Sequence, residues 1–314
     1  MIAGFTFSYP CCLTSKKSGV LLEWTKDLNA SECIKEDPVQ LLQNECKKLG
    51  VNIRIVSICN DSVSTLVSYS YTHNETAMGV ILGSGTNAAY IERVSNIPKL
   101  KNDIVSDFMV INMEWGALGT SNPQMLPRSS LDVEIDASSS NPGKQYLEKL
   151  MSGLFLGELT RLWIVKLRKE NTLLATVPLS NKLFTERLCF DSSLCTSILL
   201  DDSEEYCEVN SILQTFGISS SSVQERKTIQ EIVDCVITRS ARLMGTCLYT
   251  VLSRMKENGI SGCIGIDGSV YKYVPGYKSR LLRAINELGM DNVECGIAYN
   301  GSLLGSALVS FSSF

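Results

Sequence analysis

The chain of 314 residues contains a single histidine, His73, and no C-x-x-C spacing among its 12 cysteines. The usual Cys/His zinc modules are thereby excluded, and a Ser- or Cys-based triad is left with one imidazole to draw on. That imidazole sits in the polar run Tyr71-Thr72-His73-Asn74-Glu75, where solvation is the plain expectation. No apolar stretch is long enough to span a bilayer, and Met1-Ile2-Ala3-Gly4-Phe5 lacks the basic start and long apolar core of a secretory signal. Dense Lys/Arg runs are missing as well, and a formal net charge of −4 offers no footprint for nucleic acid. A cytoplasmic protein without nucleic-acid or membrane partners is expected, its cysteines reduced and mostly buried.

What is present is ordinary in bulk: 44% hydrophobic and 20% charged residues, in a chain long enough for two domains. The organising stretch runs from Asn52 to Thr65. It alternates at Ile53 and Ile55, turns continuously apolar to Cys59, and stops on Asn60-Asp61 followed by small hydroxyl residues. Such a strand suits a sheet buried on both faces, and the carboxyl end of a strand is where open α/β sheets meet ligands. A carboxylate at Asp61 can serve there as a general base, although Asn and Asp also cap helices.

Before it, residues 3–10 alternate as a strand, 16–19 turn, and 20–26 form a second strand. Asp37-Pro38 opens a helix with Val39, Leu42, Cys46 and Leu49 on one face and Gly50 as its stop. After it, a helix runs from Ser62 towards Tyr71, and the strand Met78–Leu82 enters Gly83-Ser84-Gly85-Thr86-Asn87-Ala88. This is formally the dinucleotide fingerprint, but the next residues, 89–94, alternate as a strand where that fingerprint needs a helix. The stretch is then either a phosphate-holding Gly/Ser/Thr turn or an ordinary hairpin. A strand over 108–116 carries Glu114, and Asn141-Pro142 reads as the start of a helix with Gln145 and Glu148 on one face. Leu147, Leu150, Met151 and Leu154 supply its apolar side.

Residues 167–202 give no pattern, the acidic run 201–205 reads as a solvated loop, and 219–222 as a serine linker. A long helix covers 224–258, and Gly265-Ile266-Asp267-Gly268-Ser269 is another strand entering a glycine turn. A strand over 293–299, a turn at Asn300-Gly301-Ser302 and a small-residue helix over 303–309 close the chain.

Phe5-Thr6-Phe7-Ser8-Tyr9-Pro10-Cys11, Trp24-Thr25-Lys26, Asn60-Asp61, Gly83–Ala88, Ile111–Gly116, Asn141–Gln145, Met151–Glu158 and Gly265–Lys272 together resemble the hexokinase family, in order and from end to end. The resemblance implies an α/β, actin-like (ribonuclease-H-like) two-domain fold. Residues 1–60, completed by 301–314, would form an incomplete smaller domain, and 61–300 the larger one. It implies ATP-dependent phosphorylation of a glucose-like hexose at its 6-hydroxyl, feeding glycolysis, with Mg2+ carried by ATP and not by protein ligands. Ser8, Thr25, Lys26, Asn60, Asp61, Asn87, Glu114, Gln145 and Glu148 would hold the sugar, with Asp61 as the base. Gly83, Ser84, Gly85, Gly153, Asp267, Gly268, Ser269, Gly301 and Ser302 would border the nucleotide.

Departures from the family pattern are Ser62 and Ser64 in the catalytic stretch, Asp27 after Lys26, and Leu303-Leu304 after Gly301-Ser302. The Asp-x-Gly-Gly-Thr phosphate turn with which the family begins does not occur in these residues. The expectation is a chain without the N-terminal phosphate segment, with an exposed sheet edge, half of the phosphate cradle absent and turnover lowered accordingly. The rival expectation is a non-catalytic sugar-binding or regulatory relative.

Overall fold

A computed structural model describes residues 1–26, 28–100 and 106–311. Asp27 and the end of the 301–314 segment lie outside the described residues. Strand β1 (Ile2–Thr6) is followed by a hairpin of β2 (Cys11–Ser15) and β3 (Ser18–Leu21), turned at Lys16-Lys17. The second strand ends at Leu21, short of the expected Lys26, which frees Trp24, Thr25 and Lys26 to form a loop. Helix α1 (Pro38–Lys48) starts as expected, with the Asp37 carboxylate accepting from the amides of Val39 and Gln40. Its apolar face is covered only at the first turn: Val39 is buried, whereas Leu42 and Leu49 are exposed. Strand β4 (Arg54–Cys59) runs parallel to β1, and Phe5, Phe7 and Ile53 close a small core over Val39, Ile55 and Ile58.

Helix α2 (Asp61–Ser70) leaves β4 directly, with the Asn60 side chain capping it through the Ser62 amide. Strands β5 (Thr76–Leu82), β6 (Thr86–Arg93) and β7 (Phe108–Asn112) form an antiparallel meander. β8 (Cys263–Asp267) and β9 (Cys295–Ile297) add in parallel on the other side of β5, giving the order β7-β6-β5-β8-β9. An antiparallel meander extended by parallel strands from its first member is the ribonuclease-H-like sheet of actin-like proteins. The strand that follows Gly83–Ala88 removes the Rossmann alternative on the ground the sequence offered.

The remaining helices are α3 (Ser130–Ser138), α4 (Tyr146–Met151), α5 (Gly153–Lys169), α6 (Lys182–Thr185), α7 (Ser192–Leu200), α8 (Cys207–Thr215), α9 (Val223–Glu257), α10 (Ser269–Tyr273), α11 (Tyr277–Glu287) and α12 (Gly301–Phe311). Residues 167–202, patternless in sequence, thus hold the end of α5 and two short capped helices. Asp201, taken for a solvated loop residue, accepts from the amides of Ser203 and Glu208 and so organises the entry to α8. The serine stretch 219–222 separates no domains: Ser222 opens α9 with a capping box to Glu225, and Ile218 and Ile229 share one core. Asn141-Pro142 lies in a turn ahead of α4, which begins only at Tyr146.

Two glycines fix where α2 lies. A Cβ on Gly79 of β5 would overlap the backbone of Ser62 and Leu66, and one on Gly305 of α12 would overlap that of Ser64. α2 is therefore pressed between β5 and α12 at backbone contact. α12 in turn reaches β1 and β4: Thr6 Oγ1 donates to the Ser302 carbonyl at 2.8 Å, and the hydroxyls of Ser57 and Ser310 are 2.9 Å apart. The helix that starts with Asp61 is thus tied to both groups of strands.

Candidate active site

Asp61 sits at the first turn of α2, 7% exposed, with Oδ1 accepting from the Ser62 amide at 2.8 Å. Around it, side chains from distant parts of the chain converge on one small pocket. Ser8, Thr25, Lys26, Asn60, Asn87, Glu114, Gln145 and Glu148 all line it with Asp61. Its polar lining, a few convergent carboxylates, amides and hydroxyls with one ammonium, suits a small polyhydroxylated ligand.

The pocket is wired together. Asn87 Nδ2 donates to Asn112 Oδ1 at 2.8 Å and to Asn60 Oδ1 at 3.2 Å. Asn112 Nδ2 donates to Glu114 Oε1 at 2.8 Å, and Ser62 Oγ donates to Asn60 Oδ1 at 2.8 Å. Glu148 Oε2 accepts from the Thr86 amide at 3.1 Å, and Trp115 Nε1 donates to Thr86 Oγ1 at 3.1 Å. On the opposite wall Lys26 Nζ donates to the Ser8 carbonyl at 3.0 Å and lies 5.1 Å from the centre of the Tyr9 ring. Tyr9 and Trp24 meet edge to face with centroids 4.7 Å apart, so the Ser8 strand and the Thr25–Lys26 loop hold each other in place.

Three pocket residues adopt left-handed backbone without being glycine: Lys26 at φ 58°, Glu114 at φ 50° and Gln145 at φ 52°. Each such conformation costs on the order of 1–2 kcal/mol for an L-residue. Strain gathered at one place marks a site whose side-chain directions matter more than local comfort.

Three carboxylates face one ammonium, and burial dominates the titration of two of them, Glu148 and Glu114. Desolvation pushes Glu148 up to about 7, the neighbouring Glu114 and Asp61 adding to it while Lys26 and the Thr86 amide oppose it. Glu114 is raised as well, first by burial and then by Asp61, with the Asn112 amide and Lys26 pulling the other way.

The Gly83-Ser84-Gly85 turn forms the partition to a second, larger groove of about 1130 Å³. Ser84, Gly153 and Ser269 line this groove, above an apolar floor of Leu154, Leu156, Ile237, Val270 and Val274. A Cβ on Gly83 would stand 3.7 Å from Gly268 Cα and 3.9 Å from the Ser269 amide, so the two glycine turns face each other bare of side chains. Gly301 abuts the Asp267 carboxylate and the Thr65 hydroxyl, which is buried without a partner. Gly85 looks the other way: a Cβ there would overlap Lys26 Cε and Glu148 Oε2, in the first pocket. Ser302 is engaged through its carbonyl by Thr6 and does not line the groove.

Sequence reasoning missed Asn112, two residues before Glu114: the strand expected over 108–116 ends on Asn112, and Glu114 reaches the pocket from left-handed backbone beyond it. It also missed Thr86 and the whole start of α7, where Asp191, Ser192, Ser193, Thr196 and Ser197 rim the groove. Asp191 capping the Ser193 amide was the available signal.

A ribonuclease-H-like sheet with a polar, carboxylate-rich pocket on one side of a glycine turn and an apolar-floored groove on the other defines an actin-like sugar-kinase fold. Two family profiles, both described as hexokinase, match residues 1–71 and 77–312. The chain belongs to the hexokinase family. Among its relatives, hexokinase-2, chloroplastic, of Nicotiana tabacum is 35% identical over 318 residues, 98% of this chain and 63% of that protein. Hexokinase-1 of Saccharomyces cerevisiae is 35% identical over 320 residues, 98% of this chain and 65% of the relative. The chain thus spans somewhat under two thirds of the length of these relatives. Among solved structures, the hexokinase from Schistosoma mansoni complexed with glucose superposes with a TM-score of 0.91 at 29% identity, covering 99% of this chain and 70% of that one. A ROK family glucokinase from Streptomyces griseus, TM-score 0.51 at 12% identity, shares the fold.

Proposed function

We propose that this chain phosphorylates a hexose at its 6-hydroxyl with ATP. The observation that carries the reading is the convergence of Asp61 with Asn60, Asn87, Glu114, Gln145, Glu148 and Lys26 on one polar pocket, a single glycine turn away from the groove. A sugar rim needs paired donors and acceptors, and these groups supply amides, carboxylates and one ammonium. The Schistosoma mansoni relative is complexed with glucose, which supports a glucose-like sugar here.

In this reading Asp61 Oδ1 is held by the Ser62 amide, and the second carboxylate oxygen takes the proton of the attacking hydroxyl. Asn60, Asn87 and Glu114, locked to one another through Asn112, fix the ring; Gln145 and Glu148 hold its other edge. The facing turns at Gly83 and Gly268, with the Ser84 and Ser269 hydroxyls, offer phosphate oxygens room and donors. The base and ribose of the nucleotide would lie over the Ile237 and Val274 floor. Magnesium enters with ATP as part of the substrate, and catalysis rests on positioning and charge stabilisation.

The test is hexose-dependent ADP formation by the chain in a coupled assay, beside calorimetric titration with glucose. Binding with turnover supports the reading; absence of both overturns it. We also place the protein in a reducing compartment, of which the cytosol is the simplest, because all 12 cysteines are free thiols. Among the described residues no helix is long and apolar enough to cross a membrane.

A further inference from the structure

Behind the Gln145–Glu148 edge of the pocket lies a charge pair that touches no ligand space. Lys149 is 5% exposed and Asp136 8%. Lys149 Nζ donates to Asp136 Oδ1 at 2.7 Å and to the Asn141 carbonyl at 2.8 Å. The Gly143 amide donates to both Asp136 oxygens at 3.1 Å. The pair therefore grips the turn between α3 and α4 at two points of its backbone, Asn141 and Gly143. That turn is strained, passing through left-handed backbone at Gly143 (φ 81°) and Gln145 (φ 52°). It delivers Gln145 to the pocket, and the helix it opens delivers Glu148.

A buried ion pair is a weak source of stability, since the cost of desolvating both charges consumes most of their attraction. What this pair does have is geometry. Asp136 belongs to α3 and Lys149 to the second turn of α4, so the turn is pinned from both flanking helices. Gln145 Oε1 packs against Gly116, in the space that a Cβ there would take. Left-handed backbone at Gly143 and Gln145 is why α4 starts at Tyr146 and not at Asn141-Pro142.

We propose that Asp136 and Lys149 are positioning residues for Gln145 and Glu148, setting hexose affinity and discrimination among sugars by fixing the 141–145 turn. The proposal rests on the hexose reading above. Its test is binding, read by calorimetry and by the fluorescence of Trp24 and Trp115, with glucose and a panel of its monodeoxy analogues. The double variant Asp136→Asn/Lys149→Met removes both charges without leaving either unpaired. It is expected to weaken glucose binding about tenfold or more, the scale on which small misplacements are felt.

The distinguishing readout is the pattern across the panel. The analogues that Gln145→Ala no longer discriminates should be the ones the double variant no longer discriminates, and adding Gln145→Ala to it should cost less than the sum of the two. Asp136→Glu keeps the charge and lengthens the tether by one methylene. It should stay folded by circular dichroism yet show the same selective loss. Should the double variant fail to fold, Asp136→Glu carries the test alone. Wild-type affinity in these variants, or a uniform loss across the panel, would overturn the positioning role while leaving the hexose reading intact. A wild-type chain that binds no hexose at all would remove both.

Discussion

On one side of the Gly83-Ser84-Gly85 turn the walls are carboxylates and amides bonded to one another, faced by an ammonium held on the Ser8 carbonyl; on the other they are hydroxyls above Leu154, Leu156, Ile237, Val270 and Val274. In the first pocket, one Asn87 amide nitrogen serves Asn60 and Asn112, and Asn112 goes on to Glu114. A ligand lacking one hydroxyl leaves a member of such a network unpaired, which is how polar sites reach discrimination of about 10⁴–10⁵. In the groove, apolar area would do most of the holding, and area tolerates chemical variety. On the proposed function, sugar identity would be read in the wired pocket and the nucleotide held in the groove.

The harshest way to break that division is Asp61→Ala. Turnover should fall roughly a hundred- to ten-thousand-fold, the usual loss for a positioned base. The hexose KM should move little, since the rest of the network stands, and the nucleotide KM should not move. A variant with near-wild-type kcat in the coupled assay would take the base role away from Asp61.

A milder break separates binding from chemistry within the first pocket. Glu114→Ala or Glu148→Ala should raise the hexose KM about ten- to a hundredfold, the worth of one charge-assisted hydrogen bond. Magnesium dependence at saturating ATP should stay unchanged. A shifted magnesium requirement would reassign these carboxylates to a metal. The mirror experiment belongs to the groove: Thr196→Trp, filling its rim, should raise the nucleotide KM about tenfold while calorimetric glucose affinity stays put. Loss of glucose affinity in that variant would mean the two regions are not independent.

How much of this was legible in the sequence follows the range of the signals. Asp61 could be read locally, because an apolar strand ending on Asn-Asp is visible in one window. Glu148 and Gln145 were paired by an expected helical spacing, yet α4 begins only at Tyr146, and Gln145 reaches the pocket from the left-handed turn ahead of it. Asn112 lies two residues from Glu114, but β7 ends on it, and its role shows only when Asn87 arrives from another strand. Helices α6 and α7 escaped notice because they are short and carry weak apolar periodicity, and their burial comes from α5 and α9. Lys26 and Ser8 came only from the family resemblance: nothing in Trp24-Thr25-Lys26 itself says that the strand will stop at Leu21 and release the lysine. Local chemistry was readable; convergence was not.

The smallest expected effect sharpens the comparison through pH. Burial holds the Glu148 carboxyl at about 7, above its ordinary 4.5, so between those values the folded chain keeps a proton that the unfolded chain has released. That contribution to stability is fully present below about 4.5 and is lost as pH rises through about 7. Glu148→Gln keeps an acceptor for the Thr86 amide and removes the titration. Without sugar, its melting temperature should match the wild type most closely at about pH 4.5 and below and exceed it by a few degrees above pH 7, the gap opening between about pH 4.5 and 7. Thr196→Trp, in a groove whose rim has Asp191 as its one carboxylate, should run parallel to the wild type over the same range. Thermal melts of the three proteins at successive pH values decide it. A constant offset between wild type and Glu148→Gln would mean that Glu148 titrates as a solvated carboxyl does and that burial does not govern it.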